Sequence, residues 1–468
     1  MTQTANLTWE DLDRAAEANR RAAVARGAEG APPTRDLPVG RSRLLGVDAA
    51  RGVALIGMIA VHSLPESDAA GRPTWWFTAF GGRASALFAV LAGLGIAFLT
   101  DRRRVRPAAG SGLVAALVVR ALAIGAIGLA LGYTDGSLAS VILPYYAVMF
   151  VLAIPLVFLP TWLVAFTGVV VAAGASALLH VLPQLPEPSY DNAAFAQLVD
   201  DPVPLLTELS LTGEFPAVTW LAYLCAGLVI GRLTLTRRRV LVGLLTAGIA
   251  LAAAAPVASW VLLDRFGGAE QIALTQAKSG LDAAGTAELL TLGGDGTTPT
   301  STWWWLAVDA PHTGTPLDLL GTTGSAIALI AVMLLAGRVA RSLPRRVISV
   351  LLVPLAAAGG MTLTLYTAHI VFINSDLDSS TPVTGFLVQV VVFVVVAAAW
   401  WATAGRGPLE GLVTALSRGA RRLATWNGRR SRGRVGMSMY SPGGPRGRTP
   451  GRAVTDGMTP RPSRRGAT

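Results

Sequence analysis

The chain has 468 residues, of which 52% are hydrophobic and only 14% charged, and its mean hydropathy of +0.52 is far from that of an ordinary soluble domain. This excludes a soluble globular enzyme and predicts an all-α polytopic helix bundle in the cell membrane. The net charge of +11 comes almost wholly from arginine; Cys225 is the only cysteine, which excludes an intramolecular disulfide and any cysteine metal cluster.

Residues 1–43 carry no apolar signal core, so this N-terminal segment is expected to stay in the cytosol. Apolar runs near the roughly 20 residues needed to cross a bilayer then predict ten spans: 47–64, 84–100, 112–132, 138–158, 160–182, 217–231, 240–263, 317–337, 347–373 and 383–403. Arg102, Arg103, Arg104 and Arg106 follow the second span, Arg237 to Arg239 the sixth, and Arg338, Arg341, Arg345 and Arg346 the eighth. All fall on the side of the two chain ends, so the positive-inside rule puts both termini in the cytosol. The opposite loop between spans five and six is acidic, and the long 264–316 loop is external in the same scheme. Its Trp303, Trp304 and Trp305 fit a headgroup anchor. The membrane domain is expected over 44–403. The basic tail over 404–468 opens with an amphipathic helix (Leu409, Leu412, Val413, Leu416, Leu423) expected on the inner leaflet and is mostly disordered beyond it.

Ionisable groups inside a membrane are costly and each needs a reason. In the first span, GVDAARGVALIGMIAVHS, Asp48, Arg51 and His62 share one helical face, with Arg51 and His62 about 20° apart around the axis and about 16 Å apart along it. Asp48 and Arg51 either neutralise each other at the inner interface or form a grip for an anionic substrate. The second span opens with Arg83 and Ser85 and continues through Ala89, Gly93 and Gly95, small residues that invite close packing against span one. That packing would bring Arg83 near His62. His312 sits in DAPHTGTPLD before the eighth span, with Asp318 at its mouth. In the ninth, Thr362, Tyr366 and His369 make one polar stripe, and a histidine there can act as a general base. Three of the four histidines thus fall on one membrane face. His180 reads as structural or interfacial. No ligand spacing supports a metal, no phosphate loop or dinucleotide fingerprint is present, and no nucleic-acid partner is expected.

The ordered stretches RLLGVDAARGVALIGMIAVH, GRASALFAVLAGLGIAF, ILPYYAVMFVLAIPLV, TWLAYLCAGLVIGR, PHTGTPLDLLGTTGSA and MTLTLYTAH resemble bacterial YeiB-like proteins and heparan-α-glucosaminide N-acetyltransferase-domain proteins over roughly residues 41–403. The resemblance implies a transmembrane acyltransferase. It would use cytosolic acetyl-CoA, or another acyl-CoA, as donor and acylate an extracytoplasmic glycan or lipid-linked acceptor. Under it, Arg51 and the inner arginines face the CoA phosphates while an outer histidine deprotonates the acceptor; Asp48, Arg83, Tyr366 and Asp318 are the other candidate substrate-binding residues. The eukaryotic transferases place their proposed catalytic histidine in the loop between the first two spans. That loop has no histidine here after His62, so the role falls to His62, His369 or His312. Ten spans and intramembrane charge suit a transporter or permease equally well, and a non-catalytic scaffold is the third reading.

Overall fold

The computed structural model describes residues 45–182, 185, 188–189, 191–339 and 345–438. The expected N-terminal segment 1–43 and the far tail beyond 438 lie outside the described residues. The described chain is all-helical, with one isolated antiparallel bridge between Ser67 and Pro73 and no strand. Its helices are α1 (Leu45–Ser63), α2 (Trp75–Phe80), α3 (Arg83–Leu99), α4 (Ser111–Leu131), α5 (Leu143–Leu156), α6 (Thr161–Val181), α7 (Ala217–Arg232), α8 (Arg238–Trp260), α9 (Pro316–Val339), α10 (Arg345–Gly359), α11 (Thr362–Ile373), α12 (Pro382–Thr403) and α13 (Pro408–Ser438), with short helices in the loops.

Among the described residues, seven helical runs are long and apolar enough to cross a membrane, and nine if each of two bent pairs counts as one span. The two pairs are Pro202–Thr212 with α7, bent by 49°, and Val350–Gly359 with α11, bent by 77°. The expectation of ten spans differs from this at 138–158. That segment is helical only over the 14 residues of α5, about 21 Å at 1.5 Å per residue, against a core of about 30 Å. Its flanks are irregular because the protein, not lipid, surrounds them. Val141 N–H donates to Asn192 Oδ1 (2.7 Å), Asn192 Nδ2 donates to Ala139 O (3.0 Å), and Ile142 N–H donates to the Tyr366 hydroxyl (3.3 Å). Backbone satisfied in this way tolerates the membrane interior without a helix.

With those flanks, 139–159 joins the two ends of the bundle. At one end Tyr146 donates to Ser85 O at the start of α3 (3.3 Å). At the other, Val105 N–H donates to Val157 O (3.0 Å) and Arg232 to Leu159 O (2.9 Å). The first end carries His62, His312 and His369; the second carries the arginine clusters. There Arg102 donates to the carbonyls of Gly231 and Leu233, Arg104 to Phe158 O, and Arg338 to Thr236 O. Arg102 thereby satisfies carbonyls at the end of α7, and Arg104 and Arg338 carbonyls of the neighbouring turns.

Glycines decide which helices touch. A Cβ on Gly93 would collide with Leu224 O, and one on Gly227 with Val90 O, so the small face of α3 receives α7 most closely, while α1, the neighbour the sequence suggested, also packs on α3. On α1, Gly52 and Asp48 O are met by α10: a Cβ at Gly52 would strike Leu355 O, and one at Gly359 would strike Asp48 O. The chain then breaks at Gly359–Gly360, so the expected continuous span 347–373 is two helices. Helix α13 packs along α4, with Gly112 against Arg421 and Thr425, while Leu412, Leu416 and Leu423 stay exposed.

Candidate active site

The site is built where α1, α11 and α12 converge. His62 stands in the last turn of α1, His369 two turns into α11, and Gln389 two turns into α12. His62 Nδ1 lies 3.0 Å from His369 Nε2, with the two rings 5° from parallel. His369 Nδ1 lies 2.7 Å from Gln389 Oε1. His369 and Gln389 are buried, whereas His62 is half-buried. An amide oxygen only accepts, so with Gln389 assigned in this orientation His369 carries its proton on Nδ1. Its Nε2 is then an acceptor, and His62 donates from Nδ1. The lone pair left at the end of the relay is on His62 Nε2, the atom a general base needs.

His312 approaches from the loop before α9 and acts on His62 electrostatically. Its backbone is left-handed at φ 56°, and the loop is pinned by Gly294 N–H to Pro311 O and by Gly296 N–H to His312 O. Phe215 meets the ring edge-on at 5.3 Å, and Trp220 stacks at 6.1 Å. Nδ1 is buried with no partner among the described residues, and burial holds the imidazole down to about 4, so it is neutral at neutral pH. Asp318 is 4% exposed; its Oδ2 accepts Gly314 N–H (3.1 Å), while Oδ1 has no partner among the described residues. The charge of Arg83 acts on Asp318, and the Arg83 guanidinium donates to Thr78 O. Arg83, at the start of the helix that packs against α1, is thereby also linked to α9. Tyr366 is buried and receives Ile142 N–H, which fixes α11 beside the irregular start of α5. Glu66, in the loop leaving α1, lies within electrostatic reach of Glu288 and Asp295, which gives this mouth an acidic rim.

At the other end, Arg51 and Asp48 form an ion pair of 2.9 Å, the arginine side chain 30% exposed and the carboxylate 12%. The guanidinium crosses α3 at Gly95, where a Cβ would come within 3.7 Å of Nη2. Sequence reasoning missed its neighbour Arg120 on α4, which lies 5.2 Å from the Phe150 ring centroid and within electrostatic reach of Arg51 and Glu410. A lone arginine inside the span 112–132 was the available signal. Gln389 was missed for the opposite reason, being uncharged and isolated. His180 lies apart, donating from Nδ1 to Ser176 O (3.1 Å) and stacking on Trp303. No three His, Cys, Asp or Glu side chains group as a metal site among the described residues.

Compared with known proteins, residues 43–258 match the family described as Heparan-alpha-glucosaminide N-acetyltransferase, catalytic. No curated protein matches the chain. The family match contains Asp48, Arg51, His62, Arg83 and Arg120, whereas His312, Asp318, His369 and Gln389 follow it. Residues 43–258 of this multi-pass helical membrane protein are therefore similar to the catalytic domain of the heparan-alpha-glucosaminide N-acetyltransferase family, whose acyl donor is acetyl-CoA.

Proposed function

We propose that the protein moves an acetyl group from cytosolic acetyl-CoA at the arginine end to an amine or hydroxyl of an extracytoplasmic glycan or lipid-linked envelope acceptor at the histidine end. The observation that carries this reading is the Gln389–His369–His62 relay, which leaves a base on the helix that also bears Arg51. The donor anion rests on Arg51 and Arg120. A thioester held there needs an arm of about 16 Å to reach His62, the rise from residue 51 to 62. His62 Nε2 takes the proton of the acceptor N–H or O–H as that atom attacks the thioester carbonyl. The C–S bond breaks, the proton taken by His62 passes to the departing sulfur, which leaves as the free thiol, and an amide or ester forms. The acidic rim of Glu66, Glu288 and Asp295 favours an acceptor amine that arrives as an ammonium ion, which releases one proton to solvent before the neutral amine attacks.

The test is transfer of label from acetyl-CoA to a cell-envelope extract by purified protein. Arg51→Ala and Arg120→Ala should each raise KM for acetyl-CoA about tenfold or more with kcat little changed, the scale of a lost charge-assisted hydrogen bond. Unchanged donor KM in both folded variants removes the donor site from this end. The two bent helix pairs favour a second reading, a permease, because broken helices commonly line transport sites. Saturable movement of an unchanged solute without labelled product would support it.

The orientation follows from the arginine asymmetry, with both termini and the 101–111 loop in the cytosol. In a Cys225→Ser background, Lys278→Cys should react with an impermeant thiol reagent from outside intact cells, and Arg103→Cys only after permeabilisation. The reverse pattern inverts the scheme.

A further inference from the structure

Helix α11 carries His369, yet its own start is poorly secured. It follows the 77° break after α10, and its N-cap residue, Met361, makes no side-chain capping bond. The orphan N–H groups of a helix start need acceptors, above all where lipid and protein exclude water. They find one on another helix. Glu410, in the first turn of α13, accepts Leu363 N–H (2.6 Å) and Thr364 N–H (3.1 Å) on Oε1, and the Thr364 hydroxyl (2.7 Å) on Oε2. Leu363 and Thr364 follow Met361 by two and three residues, the positions a capping side chain normally serves. Leu409 N–H also donates to Thr364 Oγ1 (3.2 Å). A Cβ on Gly407 would collide with the Glu410 carboxylate and the Thr364 hydroxyl, so the turn into α13 closes directly onto α11.

We propose that Glu410 is a positioning residue, a cap supplied in trans by the C-terminal helix that sets the height of α11 and so holds His369 within hydrogen-bonding distance of His62. The inference rests on the acyltransferase reading for its kinetic readout but not for its structural one. His369 lies five residues beyond Thr364, less than two turns, so displacement of the helix start is transmitted to the imidazole with little attenuation. The His62 contact is 3.0 Å, near the middle of the hydrogen-bonding range, and misplacement by about 1 Å at a reacting centre can cost up to about 10²-fold in rate.

The experiment combines kinetics with imidazole nitrogen NMR of histidine-labelled full-length protein, its four histidine signals assigned by single replacements. Glu410→Ala should lower kcat about tenfold, leave KM for acetyl-CoA within about threefold, and shift the His62 and His369 signals while those of His180 and His312 stay put. Glu410→Gln keeps an oxygen acceptor for the two N–H groups and should restore kcat to within about threefold of wild type. Should Glu410→Ala fail to fold, Thr364→Val removes the hydroxyl's bonds to Glu410 and to Leu409 N–H but keeps both backbone caps, and should move the same two signals in the same direction, with a smaller loss of rate. Unmoved His62 and His369 signals in the folded variants overturn the proposal. A raised donor KM with unchanged kcat also overturns it, because Glu410 would then belong with Arg120 at the donor site. Absence of acetyl transfer by the wild type would defeat the functional reading alone, since the NMR signals still decide whether Glu410 positions the pair.

Discussion

Replacing His62 with alanine should lower acetyl transfer by about 10²–10⁴-fold, the usual loss on removing a positioned general base. Donor KM should stay within about threefold, because the substitution lies about 16 Å along α1 from Arg51. The reason is the direction of the relay. With Gln389 accepting from His369 and His369 accepting from His62, both Nδ1 protons are committed and the free lone pair is on His62 Nε2. His312 is not expected to substitute for it. Its ring is held between Phe215 and Trp220 in a strained loop, which suits wall-building better than proton transfer. His312→Ala should therefore be milder than His62→Ala. Single-turnover transfer by detergent-purified variants of equal thermal stability measures the difference, and near-wild-type turnover by His62→Ala would end the general-base assignment.

Much of α1 was legible because a helix imposes its period on side-chain direction: Asp48, Arg51 and His62 lie on one face by arithmetic alone. The Thr362, Tyr366 and His369 stripe followed from the same rule. What periodicity cannot carry is which helices touch. The His62–His369 bond joins residues 307 apart in sequence, and nothing local to either selects the other. Small residues on α3 signalled close neighbours correctly, α1 among them, but Gly93 and Gly227 show that the tightest is α7, a choice made by the shape of the whole bundle. The break in the ninth expected span was written as Gly359–Gly360 inside an apolar run long enough to hide it. What selects glycine at 359 is tertiary, the collision that any side chain there would have with Asp48 O. Glu410 was invisible for a related reason: in an amphipathic, arginine-rich helix one acidic residue reads as a surface charge until α11 is found against it.

Changing Gln389 should separate a positioned base from a merely packed histidine pair. In Gln389→Leu the Nδ1 proton of His369 loses its acceptor, so the ring is no longer held in the tautomer that receives His62, and turnover should fall about tenfold or more. In Gln389→Glu the loss should be larger, about 10²-fold at pH 7, although an acceptor is retained. A buried carboxylate beside His369 favours a second proton on that ring. His369 Nε2 then donates instead of accepting, His62 must receive at Nδ1, and its own proton moves to Nε2, the position from which it should abstract one. The base is switched off by inversion of the relay. Raising the pH removes the extra proton from His369, returns the original direction and should recover transfer in Gln389→Glu, while Gln389→Leu gains nothing comparable. The pH–rate profiles of the two variants provide the measurement. A Gln389→Glu enzyme as fast as wild type at pH 7 would mean that proton direction through His369 is irrelevant, leaving His62 and His369 as a packing contact between α1 and α11.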